Sequence, residues 1–408
     1  MLNTHIHLPP NFSAFETAED AVGAAAAEGV TVLGASNFHH HGIYRRFADA
    51  ATAAGIVPLF GLEFISVIDS LRDAGVKIND PANPGRIYLC GKGVNPFAPP
   101  TATATRLLEQ VRAADSDRMA EMVTQVRACF AQAGLDVPLT AQSISADVAE
   151  RAGVPESWVV LQERHVAMAF QEALFGTVAP GGRAALLARA FGGSVGHAAD
   201  DPAAVQGELR SRLMKAGRPA FVPESAVSFD DAYRLILEMD GIPCYPTLAD
   251  GASPTCPWEE PPEALAHRLL EREIHAAELI PNRNRPEVVD AYVAEFRAVG
   301  IIVMAGTEHN TRARISLEPR CADGSLPSPA ARAAFREATC VVVAHQHVRA
   351  SGRPGYVDDH GRLAAGFADG EARISWFAEL GAELIGAAGT AGRSAPEAAD
   401  AAGTAVAR

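Results

Sequence analysis

Two histidines, two residues apart, open the chain in the run Asn3-Thr4-His5-Ile6-His7-Leu8. On a strand, side chains i and i+2 share a face, so both imidazoles can converge on one point. Neutral imidazole nitrogen is a common ligand for zinc, iron and related ions. Taken alone, the pattern fits polar residues at a strand end equally well. Glu63 strengthens the metal reading, because a glutamate at an apolar strand end is costly to bury unless paired or metal-bound. A hydrolytic metal centre needs about three or four protein ligands of mixed nitrogen and oxygen, with an open position for water. One of His39, His40 and His41, taken as His39, is a candidate further ligand; a solvated loop is the alternative. His309 is expected to face the site, where it or Glu63 would move a proton. Arg45, Arg46 and Arg86 are candidates for gripping a phosphate bidentately, against the commoner state of solvated or ion-paired arginines. His345 and His347 repeat the His-x-His spacing, with a site strand and a surface strand end as equal readings.

The elements that must position these groups alternate. Residues 17–29 predict a helix with a capping Thr17 and a Gly29 stop; 29–34 predict a buried strand, 44–54 a helix and 56–64 a strand. Strand–helix alternation at this spacing predicts parallel βαβ units, whose functional residues collect at the C-terminal strand ends. A fourth strand is expected near 87–90. From 101 to 220 the apolar residues Leu107, Leu108, Val111, Met119, Met122, Val123, Val126 and Phe130 recur at steps of three and four, which predicts a helical insertion. Alternation returns at Ser228, with strands expected at 242–246, 277–280, 301–305 and 341–347. The organisation expected is therefore 1–100 and 221–387 as two parts of one α/β body, 101–220 as a helical subdomain, and 388–408 as a disordered tail.

Composition narrows the function. At 408 residues and 48% hydrophobic content the chain can fill two or three domains. Its net charge of −14 disfavours non-specific nucleic-acid binding while leaving room for a local positive pocket. The six cysteines are scattered without a Cys-x-x-Cys pair, which signals neither a zinc ribbon nor a disulfide framework and makes a reducing cytoplasm the simplest home. No apolar run approaches a membrane span, and no leader-like segment precedes the first strand.

With these motifs in view, the chain resembles the PHP (polymerase and histidinol phosphatase) superfamily, closest to its small phosphoesterases with a helical insertion. The resemblance rests on His5-x-His7, on the stretch Ala53-Ala54-Gly55-Ile56-Val57-Pro58-Leu59-Phe60-Gly61-Leu62-Glu63-Phe64, and on Phe221-Val222-Pro223 through Gly241-Ile242-Pro243 to Tyr245-Pro246. Arg164-His165-Val166-Ala167 resembles a segment of the insertion. The resemblance implies a distorted (β/α)7 TIM-like barrel with metals at the strand C-termini. His5, His7, Glu63 and Glu308 match ligand positions. The chain departs from the pattern at Asn37-Phe38, where the family has Asp-His, and at Arg86 or Tyr88, where it has a ligand histidine. It departs again at Tyr245, where the family has the histidine of His-Pro, and at Gly306-Thr307-Glu308-His309-Asn310, in place of Gly-Ser-Asp-x-His. Tyr245 could then donate a hydrogen bond to substrate. So altered a ligand set implies one or two divalent ions (zinc, manganese or iron) rather than three. The function implied is hydrolysis of a small phosphorylated substrate, a phosphomonoester or short nucleotide, by a metal-activated water. The alternative is a divergent barrel with a reduced metal site that binds a ligand without catalysis. An amidohydrolase-type barrel also begins with His-x-His, but its later ligands have no obvious place here.

Overall fold

The computed structural model describes the backbone of residues 1–223 and 226–403, and side chains as far as 390. Eight strands are described: β1 (Leu2–Ile6), β2 (Val32–Phe38), β3 (Val57–Val67), β4 (Arg86–Lys92), β5 (Val227–Ser228), β6 (Ile242–Thr247), β7 (Ala276–Leu279) and β8 (Ile302–Ala305). They form one sheet in the order β1-β2-β3-β4-β6-β7-β8, with the short β5 added to β3. Beyond β8 the sheet nearly closes on β1: the Thr307 and Glu308 amides donate to His5 O at 3.1 and 2.8 Å, and the His7 amide donates to Glu308 O at 2.8 Å. The unit is thus a nearly closed, seven-stranded, distorted TIM-like barrel. The distortion has a specific source: β4 runs antiparallel to both β3 and β6, while the other long pairings are parallel.

The strands are buried along nearly their whole length, as expected of parallel strands covered on both faces. Helix Ala18–Ala27 starts where Thr17 Oγ1 accepts from the Asp20 amide, with Glu19 and Asp20 in its first turn against the positive helix end. Two glycines let the chain pack tightly around β1. A Cβ on Gly34 would lie 2.4 Å from Thr4 O, and one on Gly306 would lie 2.3 Å from the His5 Cβ.

Contacts divide the chain into two units: residues 1–8, 14–108 and 227–408, and residues 9–13 with 109–226. The second unit is helical. Its core gathers Met119, Met122, Val126 and Phe130 from helix Ala102–Gln132 with Phe170, Leu174, Leu187 and Leu209. The methionines are packing residues, and the helix runs through Asp115 without a break.

One expectation changes. The run 341–347 is not a strand but the middle of helix Pro329–Ala350, whose Val341, Val342 and Ala344 pack in the core formed with Ile242, Ala276, Ile302 and Met304. A short apolar run cannot be told from a buried helix by periodicity alone. The stretch expected as a tail overlaps helix Gly370–Gly403, and its residues 404–408 lie outside the described residues. Among the described residues, no helix is long and apolar enough to cross a membrane.

Candidate metal centre

The end of β1 and the residue after it deliver the two histidines through an irregularity. Its pairing with β2 shifts register between Asn3 and Ile6. A regular pleat would send Thr4 and His5 to opposite faces. Instead both reach one carboxylate: Thr4 Oγ1 donates to Glu278 Oε1 at 2.7 Å, and His5 Nδ1 lies 2.6 Å from Glu278 Oε2. Such bulges commonly re-aim a side chain beside a functional site. His7 then joins His5 on the same side, their rings 5.2 Å apart.

Glu63 comes from β3, level with Phe38 at the end of β2. Its Oε2 lies 3.5 Å from His7 Nε2 and 3.9 Å from His5 Nε2. These three residues are buried, with ligand atoms within 4.8 Å of one another. The separations are long for hydrogen bonds. They suit ligands of one ion, since atoms bonded at about 2.0–2.2 Å to a tetrahedral centre lie roughly 3.4 Å apart. The electrostatics agree. Glu278 takes the Nδ1 proton of His5, which assigns the tautomer with a lone pair on Nε2, and that nitrogen has no hydrogen-bond partner among the described residues. Burial, reinforced by the charge of Glu308, pushes the Glu63 carboxyl well above its ordinary value. Glu63 can therefore stay ionised only beside a positive partner, and a cation between it and the His5 lone pair, 3.9 Å apart, would supply one. A carboxylate behind a metal-binding histidine is also the usual outer-shell arrangement.

Behind the histidines lies a group that sequence reasoning missed. Lys92 enters the barrel from β4 and donates to Glu278 Oε1 (2.8 Å), Thr4 O (3.1 Å) and Ser36 Oγ (3.1 Å). These partners sit on β7, β1 and β2, none of them a neighbour of β4 in the sheet, so the ammonium crosses the barrel interior. Burial alone would raise the Glu278 carboxyl, but Lys92 and then His5 outweigh it and bring it down to about 2. Lys92 is held above its ordinary value by Glu278 against the opposing effect of burial. Cys90, two residues before Lys92, forms a second compact group with His5 and Glu278. The burial argument applied to Glu63 would have found Glu278, since it too stands in an apolar strand.

Several expected site residues are placed elsewhere. His39 does not join the His5–His7–Glu63 group; its ring stacks on Phe64 at 5.6 Å. Phe38, where the resemblance implies a ligand histidine, stacks on His7 at 5.3 Å and 8°. Asn37 ties β2 to the segment just after β1, its side chain bonding both the Leu8 amide and the Leu8 carbonyl. Glu308 joins the site through its backbone, but its carboxylate is held bidentately by Arg283, with one contact at 2.8 Å. His309, expected as a catalytic base, has both nitrogens occupied by the scaffold. Nε2 donates to Ile315 O (3.1 Å), so Nδ1 accepts from Thr307 Oγ1 (2.7 Å), and burial lowers its pKa. It pins the loop after β8, where Glu308 and His309 hold successive φ values of 59° and 50°, a strained pair for residues other than glycine.

The phosphate candidates also move. Arg45 is exposed, with its guanidinium 3.9 Å over the Phe97 ring. Arg86 pairs with Asp80 at 3.3 Å. Tyr245 is one residue out of phase with Cys244, which pairs with Cys90 and Ala276 on the face shared with Lys92 and Glu278. Its side chain therefore points out of the barrel and its hydroxyl bonds Glu259 at 2.9 Å. His165 accepts from the Gln162 amide and caps its helix. His345 is fully used, its Nε2 donating to Asp240 O and its Nδ1 accepting from the Tyr356 amide. Arg283, just after β7, acts on both Glu308 and Glu63.

No family model and no curated protein matches the chain. Solved structures do resemble it in fold. A protein from Bifidobacterium adolescentis described as a candidate metal-dependent phosphoesterase aligns with a TM-score of 0.54 at 14% identity, covering 82% of this chain and 95% of its own. An amidohydrolase from Chromobacterium violaceum, solved with bound sulfate and no metal, aligns with a TM-score of 0.51 at 15% identity, covering 81% of this chain and 92% of its own.

Proposed function

We propose that the chain is a metal-dependent hydrolase acting on a small phosphoester, with one divalent ion (zinc, manganese or iron) held by His5, His7 and Glu63. The observation that carries this reading is Glu63 Oε2 lying 3.5 Å from His7 Nε2 and 3.9 Å from His5 Nε2, with the ligand atoms of all three within 4.8 Å of one another, behind an outer carboxylate that fixes the His5 tautomer. Three protein ligands leave a position for water, and the bound ion would lower that water's pKa and polarise the phosphoryl oxygen. The fold neighbours, one described as a phosphoesterase and one as an amidohydrolase, favour hydrolysis as the class. Arg283 supplies the guanidinium for the substrate's phosphate, exchanging Glu308 for the incoming anion.

Elemental analysis of protein purified without chelator tests the metal. About one equivalent is expected in the wild-type chain and none in His7→Ala, with the circular dichroism spectrum unchanged. Metal-dependent turnover of p-nitrophenyl phosphate or its bis-ester tests the chemistry. A chain that holds its ion and turns over neither ester favours the non-catalytic, ligand-binding reading.

A further inference from the structure

We propose that Lys92 is a built-in cation that fills a second positive position in the barrel, so that the centre accepts a single metal ion. This rests on the reading of His5, His7 and Glu63 as a metal site and concerns how many ions that site takes. The side chains that could hold a second ion are Glu278 and Cys90, which lie with His5 in one buried group. Both Glu278 oxygens are already engaged. Oε1 takes the Thr4 hydroxyl and the Lys92 ammonium, and Oε2 takes His5 Nδ1.

Lys92 is equally committed. Its three donors meet three oxygens, Glu278 Oε1, Thr4 O and Ser36 Oγ, at 2.8–3.1 Å. Three acceptors around one buried nitrogen are what an ammonium needs, because lysine offers three donors and no acceptor when charged. The position is inherited from strand direction. β4 runs against its neighbours, with Gly61 opposite Lys92 and Glu63 opposite Cys90. Continuing along β4 therefore carries Lys92 deeper than Glu63, beneath the histidines rather than out at the rim. A divalent ion placed between Glu278 and Cys90 would sit beside this ammonium at low dielectric, where like charges repel strongly. His5 cannot serve both ions, since its Nε2 lone pair is directed at Glu63 and its Nδ1 carries the proton given to Glu278.

The test counts ions by equilibrium dialysis against cobalt(II) or zinc(II). Wild-type protein is expected to saturate at one ion per chain. Lys92→Ala removes the ammonium, leaves room for an ion with its waters, and is expected to take one ion more than wild type. Loaded with cobalt, it should also gain a thiolate-to-cobalt charge-transfer band from Cys90, which Cys90→Ser in the same background removes. A folded Lys92→Ala protein with no added ion overturns the proposal. So does a wild-type chain that binds two ions, a measurement that stands even if the variant does not fold. The two readings separate cleanly. Loss of the first ion, in a wild-type chain that binds none, defeats the assignment of His5, His7 and Glu63, whereas the increment on removing Lys92 reports on Lys92 alone.

Discussion

Glu278 stands between His5 and Lys92, 2.6 Å from the imidazole Nδ1 through one oxygen and 2.8 Å from the ammonium through the other. The carboxylate thus carries two duties at once. It neutralises a buried lysine, and it holds a histidine in the tautomer that turns its lone pair toward Glu63. Removing either partner leaves the other charge buried without compensation, which is the costly case for an interior ion pair.

Glu278→Gln separates those duties. The carboxamide oxygen can still accept one donor, but the negative charge is gone. Metal affinity, read by competition with a chelator, is expected to fall about 10–100-fold, as for other outer-shell partners. Denaturant melting of the metal-free chain should show a loss of about 3–5 kcal/mol from the unpaired Lys92. Unchanged metal affinity would remove Glu278 from the centre.

On the proposed reading, Arg283 is the guanidinium that meets the substrate's phosphate. Arg283→Met should keep its metal and lose about 10–100-fold in kcat/KM on a small phosphoester, the equivalent of about 1.5–3 kcal/mol for a lost charged hydrogen bond. An unaltered kcat/KM would leave Arg283 as a partner of Glu308 only.

His309 belongs to the scaffold. His309→Ala should cost about 1–3 kcal/mol in thermal or denaturant unfolding, because the Thr307 hydroxyl and the Ile315 carbonyl lose their partner. Turnover should change by no more than a few-fold. A large loss of activity with full metal content would restore the catalytic role.

His345 makes stability sensitive to acid. Burial, partly offset by its bond to Asp240 O, lowers its pKa from 6.5 to about 3. The unfolded chain therefore binds this proton first as the pH drops. The contribution is complete above about pH 6.5 and is lost as the pH falls from there toward 3, at roughly 1.4 kcal/mol per pH unit. The difference in stability between wild type and His345→Gln, followed by denaturant titration between pH 7 and pH 4, should shrink with that slope. A pH-independent difference would show that His345 is not buried in its neutral form.

What could be read from the chain in advance was local. The His5–His7 spacing, at the end of β1 and one residue past it, pointed to two rings on one side of a short extended stretch. The alternation of apolar runs, caps and glycines gave the βα order, and the cost of burying a carboxylate pointed to Glu63. Glu278 stands in an equally apolar, buried strand, and the same burial cost applies to it. Other residues defeated local reasoning for identifiable causes. Tyr245 was assigned to the site by its neighbours in sequence, yet a strand's period of two turns it outward. The apolar run at 341–347 reads as a strand until burial on a long helix overrides it.

The sequence alone determined which residue types could bind a cation and which strand would present the first pair, since both follow from composition and from spacing within one element. Only the tertiary structure decided that Glu278 and Lys92 lie beneath that pair, that Arg283 rather than Arg45 or Arg86 stands near Glu63, and that His309 is consumed by its own loop. Those outcomes depend on strand direction, register and barrel closure. These join residues as far apart as Thr4 and Glu278, and no local spacing encodes them.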